Sequence, residues 1–282
     1  MSTSNPAPWG SSFRLVAAER WKAKSAALGN AVTEAFVEYA RPLPDMRVLD
    51  LASGTGEPGI SLAQRVGRPG SSTMGSVTAV DQSSELLEIA AERARHKKLS
   101  NFTTQQADAH HLPFADHSFD LATCRFGVMF FSDARRALAE LRRVLKPGAR
   151  ACFAAWGSME QPYWQTMMQI VHRHVGGTML PPGGADPFRF SAAGSLSDAL
   201  SAAGFHEVEE ATQNLPWTWL GDAEEVFDYA CAVAAPFRPM LERVPAEQWP
   251  AIRAEAKAAI ERYRVGDEIR FGANVVLASG KA

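Results

Sequence analysis

Three aspartates and one glycine cluster carry the chemistry that this chain advertises. Asp50 lies near the end of the run Val48-Leu49-Asp50-Leu51, and the segment Ala52-Ser53-Gly54-Thr55-Gly56-Glu57-Pro58-Gly59 follows it. The run has the apolar character of a buried parallel strand. Gly54 and Gly56 permit a tight turn and close backbone approach to a ligand. Pro58 suits the first turn of a helix, where its missing N–H costs little. Backbone N–H groups at such a strand–turn–helix junction bind an anionic ligand group. The backbone of Ala52, Ser53, Gly54, Thr55 and Gly56 is therefore expected to face a small nucleotide-like cofactor.

The spacing G-x-G-x-x-G alone does not separate cofactors, because dinucleotide-binding enzymes share it. Asp50 tilts the choice. A carboxylate beside the turn repels a pyrophosphate and attracts a cation, such as the ammonium or sulfonium of S-adenosylmethionine (SAM). The next acidic strand end, Asp81, also comes later than the ~20 residues usual in a dinucleotide fingerprint. SAM is the expected cofactor, with a nicotinamide cofactor as the alternative.

These residues need a scaffold, and the rest of the chain supplies its pattern. The 282 residues are 46% hydrophobic and carry a net charge of −2. That suffices for one sizeable core, and it offers no basic field to hold nucleic acid. Cys124, Cys152 and Cys231 are scattered, without metal-ligand spacing, and read as core thiols in a reducing compartment. Met1 to Ser12 lacks the features of a signal peptide, and no apolar run is long enough to span a membrane. The expectation is a cytoplasmic protein without stable membrane insertion and without a metal, and homo-oligomers remain open.

Helices are expected over 13–40, 57–66, 84–97 (capped by Ser83 or Ser84), about 134–145, 161–175, 192–203 and within 222–264. Strands are expected at 47–51, 77–81, 102–106, 119–124, 150–156, 205–211 and 268–279. Lys146-Pro147-Gly148 should stop the helix before it, Gly204 should terminate another, and Asp222 should cap a third. Strands alternating with helices mean a doubly wound parallel sheet.

Five segments together resemble the class I SAM-dependent methyltransferases, in particular the ubiquinone/menaquinone-biosynthesis-type branch. They are Val48 to Gly59, Val77 to Asp81, Asp108-Ala109-His110-His111-Leu112-Pro113-Phe114, Phe119 to Asp133, and Arg143-Val144-Leu145-Lys146-Pro147-Gly148. The resemblance implies an α/β fold with a seven-stranded Rossmann-like sheet and one reversed strand near its edge. Residues 1–282 would form a single methyltransferase domain. Its SAM-binding core would take about 45–156 with 192–212 and 266–280, and a mostly helical cap would come from 1–40, 157–190 and 214–264.

Each site position has two readings. Asp81 can accept hydrogen bonds from both ribose hydroxyls or cap the following helix. Asp108 can accept from the adenine amino group, with the Ala109 N–H addressing the ring, or it can order a loop. Gln82 would lie over the adenosine edge or simply be exposed. Arg125 would meet the cofactor carboxylate and Phe126 would wall the methyl-transfer channel, against a surface Arg and a core Phe. The adjacent His110 and His111 point in different directions, so a shared metal is not expected, and both read as rim residues.

All seven tryptophans lie outside 22–155. Trp21, Trp164, Trp217 and Trp219 are substrate-pocket candidates, with an aromatic core as the competing reading. As a group they favour an apolar or aromatic small-molecule acceptor. The expected function is SAM-dependent methyl transfer by in-line displacement, which requires mainly alignment and exclusion of water. No residue declares itself as a general base, so the catalytic residues stay unassigned. The alternatives are a nicotinamide-dependent oxidoreductase and a non-catalytic SAM-binding protein of the same fold.

Overall fold

The structure is a computed structural model, and it describes residues 24, 27–67 and 75–282. Of the helix expected over 13–40, α1 (Asn30–Ala40) is described, with Val32, Phe36, Val37 and Ala40 buried. Trp9, Trp21 and most of the loop expected at 67–76 lie outside the described residues.

Four of the five residues of β1 (Arg47–Leu51) are buried, as expected of a strand covered on both faces. It pairs in parallel with β2 (Ser76–Asp81) and β4 (Phe119–Arg125). β2 pairs in parallel with β3 (Phe102–Gln106), and β4 with β5 (Leu145–Trp156). Further along come β6 (His206–Leu220), β7 (Arg264–Val265) and β8 (Glu268–Lys281). The sheet order is β3-β2-β1-β4-β5-β8-β6, with β7 joined to β8 off that line. β8 runs antiparallel to β5 and is the expected reversed strand. Helices α2 (Gly59–Val66), α3 (Ser84–His96) and α4 (Ala134–Val144) connect the parallel strands. Ser83 caps α3 through the Leu86 N–H at 3.2 Å, and Asp133 caps α4 through the Arg136 N–H at 3.0 Å.

Several boundaries differ from expectation. α4 runs straight into β5, and Lys146-Pro147-Gly148 belongs to the strand. The pairing shifts register between Phe119↔Leu145 and Leu121↔Arg150. A bulge of this kind accommodates a proline that cannot donate to the ladder. β6 continues nine residues past the expected end at Ala211, to Leu220. Buried Trp217 and Trp219 alternate with more exposed Pro216, Thr218 and Leu220, which is the period of a strand. The expected helix at 161–175 is two helices, α5 (Pro162–Gln165) and α6 (Met168–Val175). α7 (Ser195–Ala202) precedes Gly204, whose φ is +89°. The 222–264 segment breaks into α8 (Ala223–Val233, capped by Asp222), α9 (Arg238–Leu241) and α10 (Trp249–Glu261).

The chain divides into two compact units. One holds 31–159, 186–215 and 273–282; the other holds 160–185 and 216–272 with the described residues up to Asn30. α1 thus belongs almost wholly with the sheet strands, whereas residues 1–40 were expected in the cap. The interior of the second unit is aromatic: Tyr163, Trp164, Trp217, Trp219, Phe227, Phe237 and Phe271 are buried. No helix among the described residues is long and apolar enough to cross a membrane.

Candidate cofactor site

From β1 the chain moves to β2 and β3 on one side and then to β4 on the other. The strand order therefore reverses beside β1, which makes the carboxyl ends of β1 and β4 the crevice of a doubly wound sheet. Left-handed backbone gathers at those ends: Ala52 (φ +55°), Gly54 (φ +52°), Gly56 (φ +105°) and Phe126 (φ +59°). Non-glycine residues in this region store roughly 1–3 kcal/mol each and cluster at ligand sites. A Cβ built on Gly54 meets no atom within 4 Å. Backbone conformation, not crowding by the protein, demands glycine there, and the turn leaves open space for a ligand.

Asp81, at the end of β2, ties the turn down. Its Oδ2 accepts from the Gly54 N–H at 2.8 Å and its Oδ1 from the Ser83 N–H at 3.0 Å. The helix-capping role falls to Ser83, which leaves Asp81 between the glycine turn and the start of α3. The Ser53 N–H donates to the Val80 carbonyl at 2.9 Å. The Ser53 hydroxyl is buried without a hydrogen-bond partner among the described residues. An orphaned hydroxyl inside an open glycine cradle fits a site built for a polar cofactor.

Asp50 works behind the turn. Its side chain is fully buried. Oδ1 accepts from the Thr123 hydroxyl at 2.8 Å, and Oδ2 accepts from the Gly59 N–H at 3.0 Å. Burial pushes its carboxyl up to about 7, against the opposing pull of Thr123, the Arg125 charge and the Gly59 N–H. A Cβ on Gly59 would stand 2.8 Å from Asp50 Oδ2, so glycine is what lets the helix start close on this carboxylate. The cation attraction expected of Asp50 thus has a competing use: both oxygens already orient the turn. Thr123 escaped sequence reasoning. Its signal is a hydroxyl within the apolar strand Leu121-Ala122-Thr123-Cys124, in register with Asp50 across β1–β4.

Asp108 follows β3 and is exposed, while Ala109 beside it is buried. Its Oδ1 accepts from the His110 N–H at 3.0 Å and the Gln82 side-chain amide at 3.1 Å, and contacts the His110 Nδ1 at 2.6 Å. Partial burial raises its carboxyl, but the His110 N–H, the His110 ring and Gln82 more than offset this and hold it below the usual carboxylate range. The structure therefore brings together Gln82 and Asp108, two residues expected at the adenosine edge. The Gln106 side-chain amide, bonded to the Gln82 carbonyl at 2.8 Å, joins them.

Arg125 ends β4. Its Nη2 approaches the Glu57 carbonyl at 3.4 Å, and its guanidinium lies 5.7 Å from the Phe126 ring. Phe126 stacks on Trp156, with centroids 4.5 Å apart and planes 15° from parallel. Arg93 of α3 braces the other side of the turn, donating to the Thr55 carbonyl at 2.5 Å and pairing with Glu57 at 3.3 Å. Nothing in the spacing of α3 marks Arg93; only the packed fold does.

In the second unit, Trp219 is fully buried and its indole N–H donates to Glu225 at 3.3 Å. Trp164 stacks on Phe237 at 5.5 Å, and Trp217 lies edge-on to Tyr163 at 5.9 Å. These three candidates are interior residues of that unit. Its thiol Cys231 is pushed up to about 12 by burial. Among the described residues no group of three or more His, Cys, Asp or Glu side chains has metal-site geometry.

Comparison with known proteins agrees with this geometry. Residues 48–148 match the profile of a methyltransferase domain family. The chain is 33% identical over 190 residues to the demethylmenaquinone methyltransferase of Deinococcus radiodurans, covering 62% of this chain and 75% of that protein. It is 41% identical over 117 residues to the ubiquinone/menaquinone biosynthesis C-methyltransferase UbiE of Xanthomonas oryzae, covering 41% of this chain and 44% of that protein. The chain thus spans less than half of that relative's length. The crystal structure of the YcgJ protein from Bacillus subtilis superposes with a TM-score of 0.57 at 22% identity, covering 88% of this chain and 97% of that one. The chain belongs to the class I SAM-dependent methyltransferases, of the ubiquinone/menaquinone-biosynthesis type. SAM is accordingly its cofactor.

Proposed function

We propose that this protein transfers a methyl group from SAM to a small apolar or aromatic acceptor in the cytoplasm, with a quinone-like ring as the first class to try. The observation that carries the reading is the cradle at Gly54: left-handed backbone, open space above it, and Asp81 locked to its N–H. Bound SAM supplies an electrophilic methyl on a sulfonium with a neutral leaving group. The chain's own residues bind and orient. Asp81 takes the ribose hydroxyls, Asp108 takes the adenine amino group with the Ala109 N–H beside it, and Gln82 lies along that edge. Arg125 offers its guanidinium to the cofactor carboxylate, and Phe126, backed by Trp156, presents an apolar wall. Asp50 holds the turn from behind through Gly59. The in-line displacement then needs an aligned acceptor and a dry site more than a strong base.

The quinone-like acceptor class comes from the relatives named for ubiquinone, menaquinone and demethylmenaquinone. Titration calorimetry with SAM, followed by transfer of labelled methyl from SAM to a panel of quinone-type and phenolic rings, tests the reading. Saturable SAM binding with turnover on a ring acceptor is expected. Thermal stabilisation by NAD(H) and not by SAM would replace it with the nicotinamide reading. Tight SAM binding without transfer to any acceptor would leave a SAM-binding protein.

A further inference from the structure

We propose that His110 is the positioning residue that aims Asp108 at the adenine amino group, and thereby sets how strongly this chain prefers an amino-bearing purine. The inference rests on the reading of Asp108 as an adenine-binding residue. Its basis is a set of contacts that fixes the imidazole from both ends. The Asp133 N–H, at the start of α4, donates to His110 Nε2 at 3.2 Å. A backbone amide can only donate, so Nε2 is the acceptor nitrogen and the ring proton sits on Nδ1. That proton points at Asp108 Oδ1, 2.6 Å away. The Ser132 hydroxyl lies 3.3 Å from Nε2, and the Arg136 Nε donates to the His110 carbonyl at 3.2 Å. The Phe131 ring meets the imidazole edge-on at 6.2 Å.

The consequence is a division of labour on one carboxylate. Oδ1 is loaded by the His110 N–H, the His110 ring and the Gln82 amide. The torsion of the carboxylate is thus set by the start of α4, through one histidine, and the three contacts on Oδ1 leave Oδ2 as the oxygen to accept from an amino donor. A pre-oriented acceptor loses less freedom when it binds an amino donor. The neighbouring His111 reaches Asp108 through the backbone, its N–H donating to the Asp108 carbonyl at 2.9 Å, which separates two histidines that look equivalent in the sequence.

The surrounding loop has independent anchors, so removing the ring should leave it folded. Arg143 donates to the carbonyls of Leu112 and Phe114 at 3.0 and 2.8 Å, and Glu140 accepts from the Leu112 N–H at 3.1 Å. Asparagine places an amide N–H near the position of Nδ1, whereas glutamine places its amide near Nε2. H110N should therefore keep the bond to Asp108, and H110Q should keep the link to α4 and lose that bond.

The test is titration calorimetry of the full chain with SAM and with its 6-deamino analogue, which carries purine in place of adenine, after melting curves confirm folding. H110A and H110Q are expected to bind SAM about tenfold more weakly, the scale of one charge-assisted hydrogen bond, and to lose most of the preference for SAM over the analogue. H110N is expected to stay near wild type on both. Wild-type SAM affinity in H110A beside weakened binding in D108A would overturn the positioning role and leave the adenine reading standing. Wild-type affinity in D108A would overturn both. H110N as weak as H110A would also overturn the proposal, because the bond to Asp108 would then not be what matters. Should H110A fail to fold, H110N and H110Q still decide between those outcomes.

Discussion

Around the glycine turn, polar side chains hold backbone N–H groups and leave space open. In the unit built from 160–185 and 216–272, large aromatic side chains are buried and pack on one another. Asp81 bonds Gly54 and Ser83, Asp50 bonds Thr123 and Gly59, and no atom stands within 4 Å of where a Gly54 Cβ would be. Trp219 is fully buried, and Tyr163 packs edge-on against Trp164, Trp217 and Phe271. Conspicuous residues therefore mean different things in the two regions. An aspartate whose oxygens pin a strained turn is organised around something absent from the protein itself. A tryptophan buried among other rings is part of the protein's own interior.

Truncation should separate the two regions most sharply in stability. Trp219→Ala removes a fully buried indole and is expected to destabilise its unit by roughly 3–5 kcal/mol, read by chemical denaturation. SAM affinity at low denaturant should stay at the wild-type value. A folded Trp219→Ala protein with unchanged stability and an altered acceptor range would instead make Trp219 a pocket residue. Gly54→Val is expected to do the reverse. It forces a β-branched residue to φ +52° and fills the open space with its side chain. SAM affinity should fall at least a hundredfold, about 2.7 kcal/mol, while circular dichroism still reports a folded sheet. Normal SAM binding by that folded variant would place the cofactor elsewhere.

Asp81→Ala is the finer cut within the same region. Loss of charge-assisted bonds should weaken SAM by one to two orders of magnitude, roughly 1.5–3 kcal/mol, measurable by calorimetry. Because Asp81 also holds the Gly54 N–H, Asp81→Asn is the informative partner. Its amide oxygen can still accept one backbone bond, so an Asn variant much tighter than the Ala variant would assign part of the effect to the turn. Unchanged affinity in both would remove Asp81 from the site.

How much of this was legible in the sequence follows the same divide. The cofactor signals are short and local: Val48 to Leu51 can only be a covered strand, and the glycines after it can only be a turn. The parallel sheet, a cap at Ser83 or Ser84 and the cap at Asp222 were readable for that reason, whereas the reversed strand came only with the resemblance to the methyltransferases. Thr123 and Arg93 were not singled out, and His110 read only as a rim residue, because their partners Asp50, Glu57 and Asp133 are brought to them by strand register and helix packing, not by spacing. Trp217 and Trp219 misled differently. The strand was expected to end at Ala211, so residues expected in a mostly helical cap turned out to alternate along β6. Lys146-Pro147-Gly148 does follow the end of α4 at Val144, but β5 was expected only from Arg150, because the bulge that takes the segment into the strand depends on pairing with β4.

The smallest effect tests whether Asp50 serves the turn or the ligand. Its carboxyl titrates at about 7 in the fold, raised from 3.8 chiefly by burial. Between roughly pH 4 and 7 the folded chain therefore holds a proton that the unfolded chain has released. Stability from this group is present below the unfolded pKa and is lost as pH rises through 7. Thr123→Val deletes the hydroxyl that favours the ionised form and leaves the shape nearly unchanged. It should raise the Asp50 titration further, extending the fall in stability to higher pH. The expected loss is roughly 1 kcal/mol at pH 8, where Asp50 is ionised in wild type, and less at pH 5, where it is protonated. Urea melts at the two pH values measure the difference. If Thr123→Val loses the same amount at both, the hydroxyl is not serving a titrating Asp50. If stability is untouched at both and only SAM affinity falls, Asp50 and Thr123 belong to the ligand side of the turn, and the division between a scaffold face and a binding face breaks at its innermost residue.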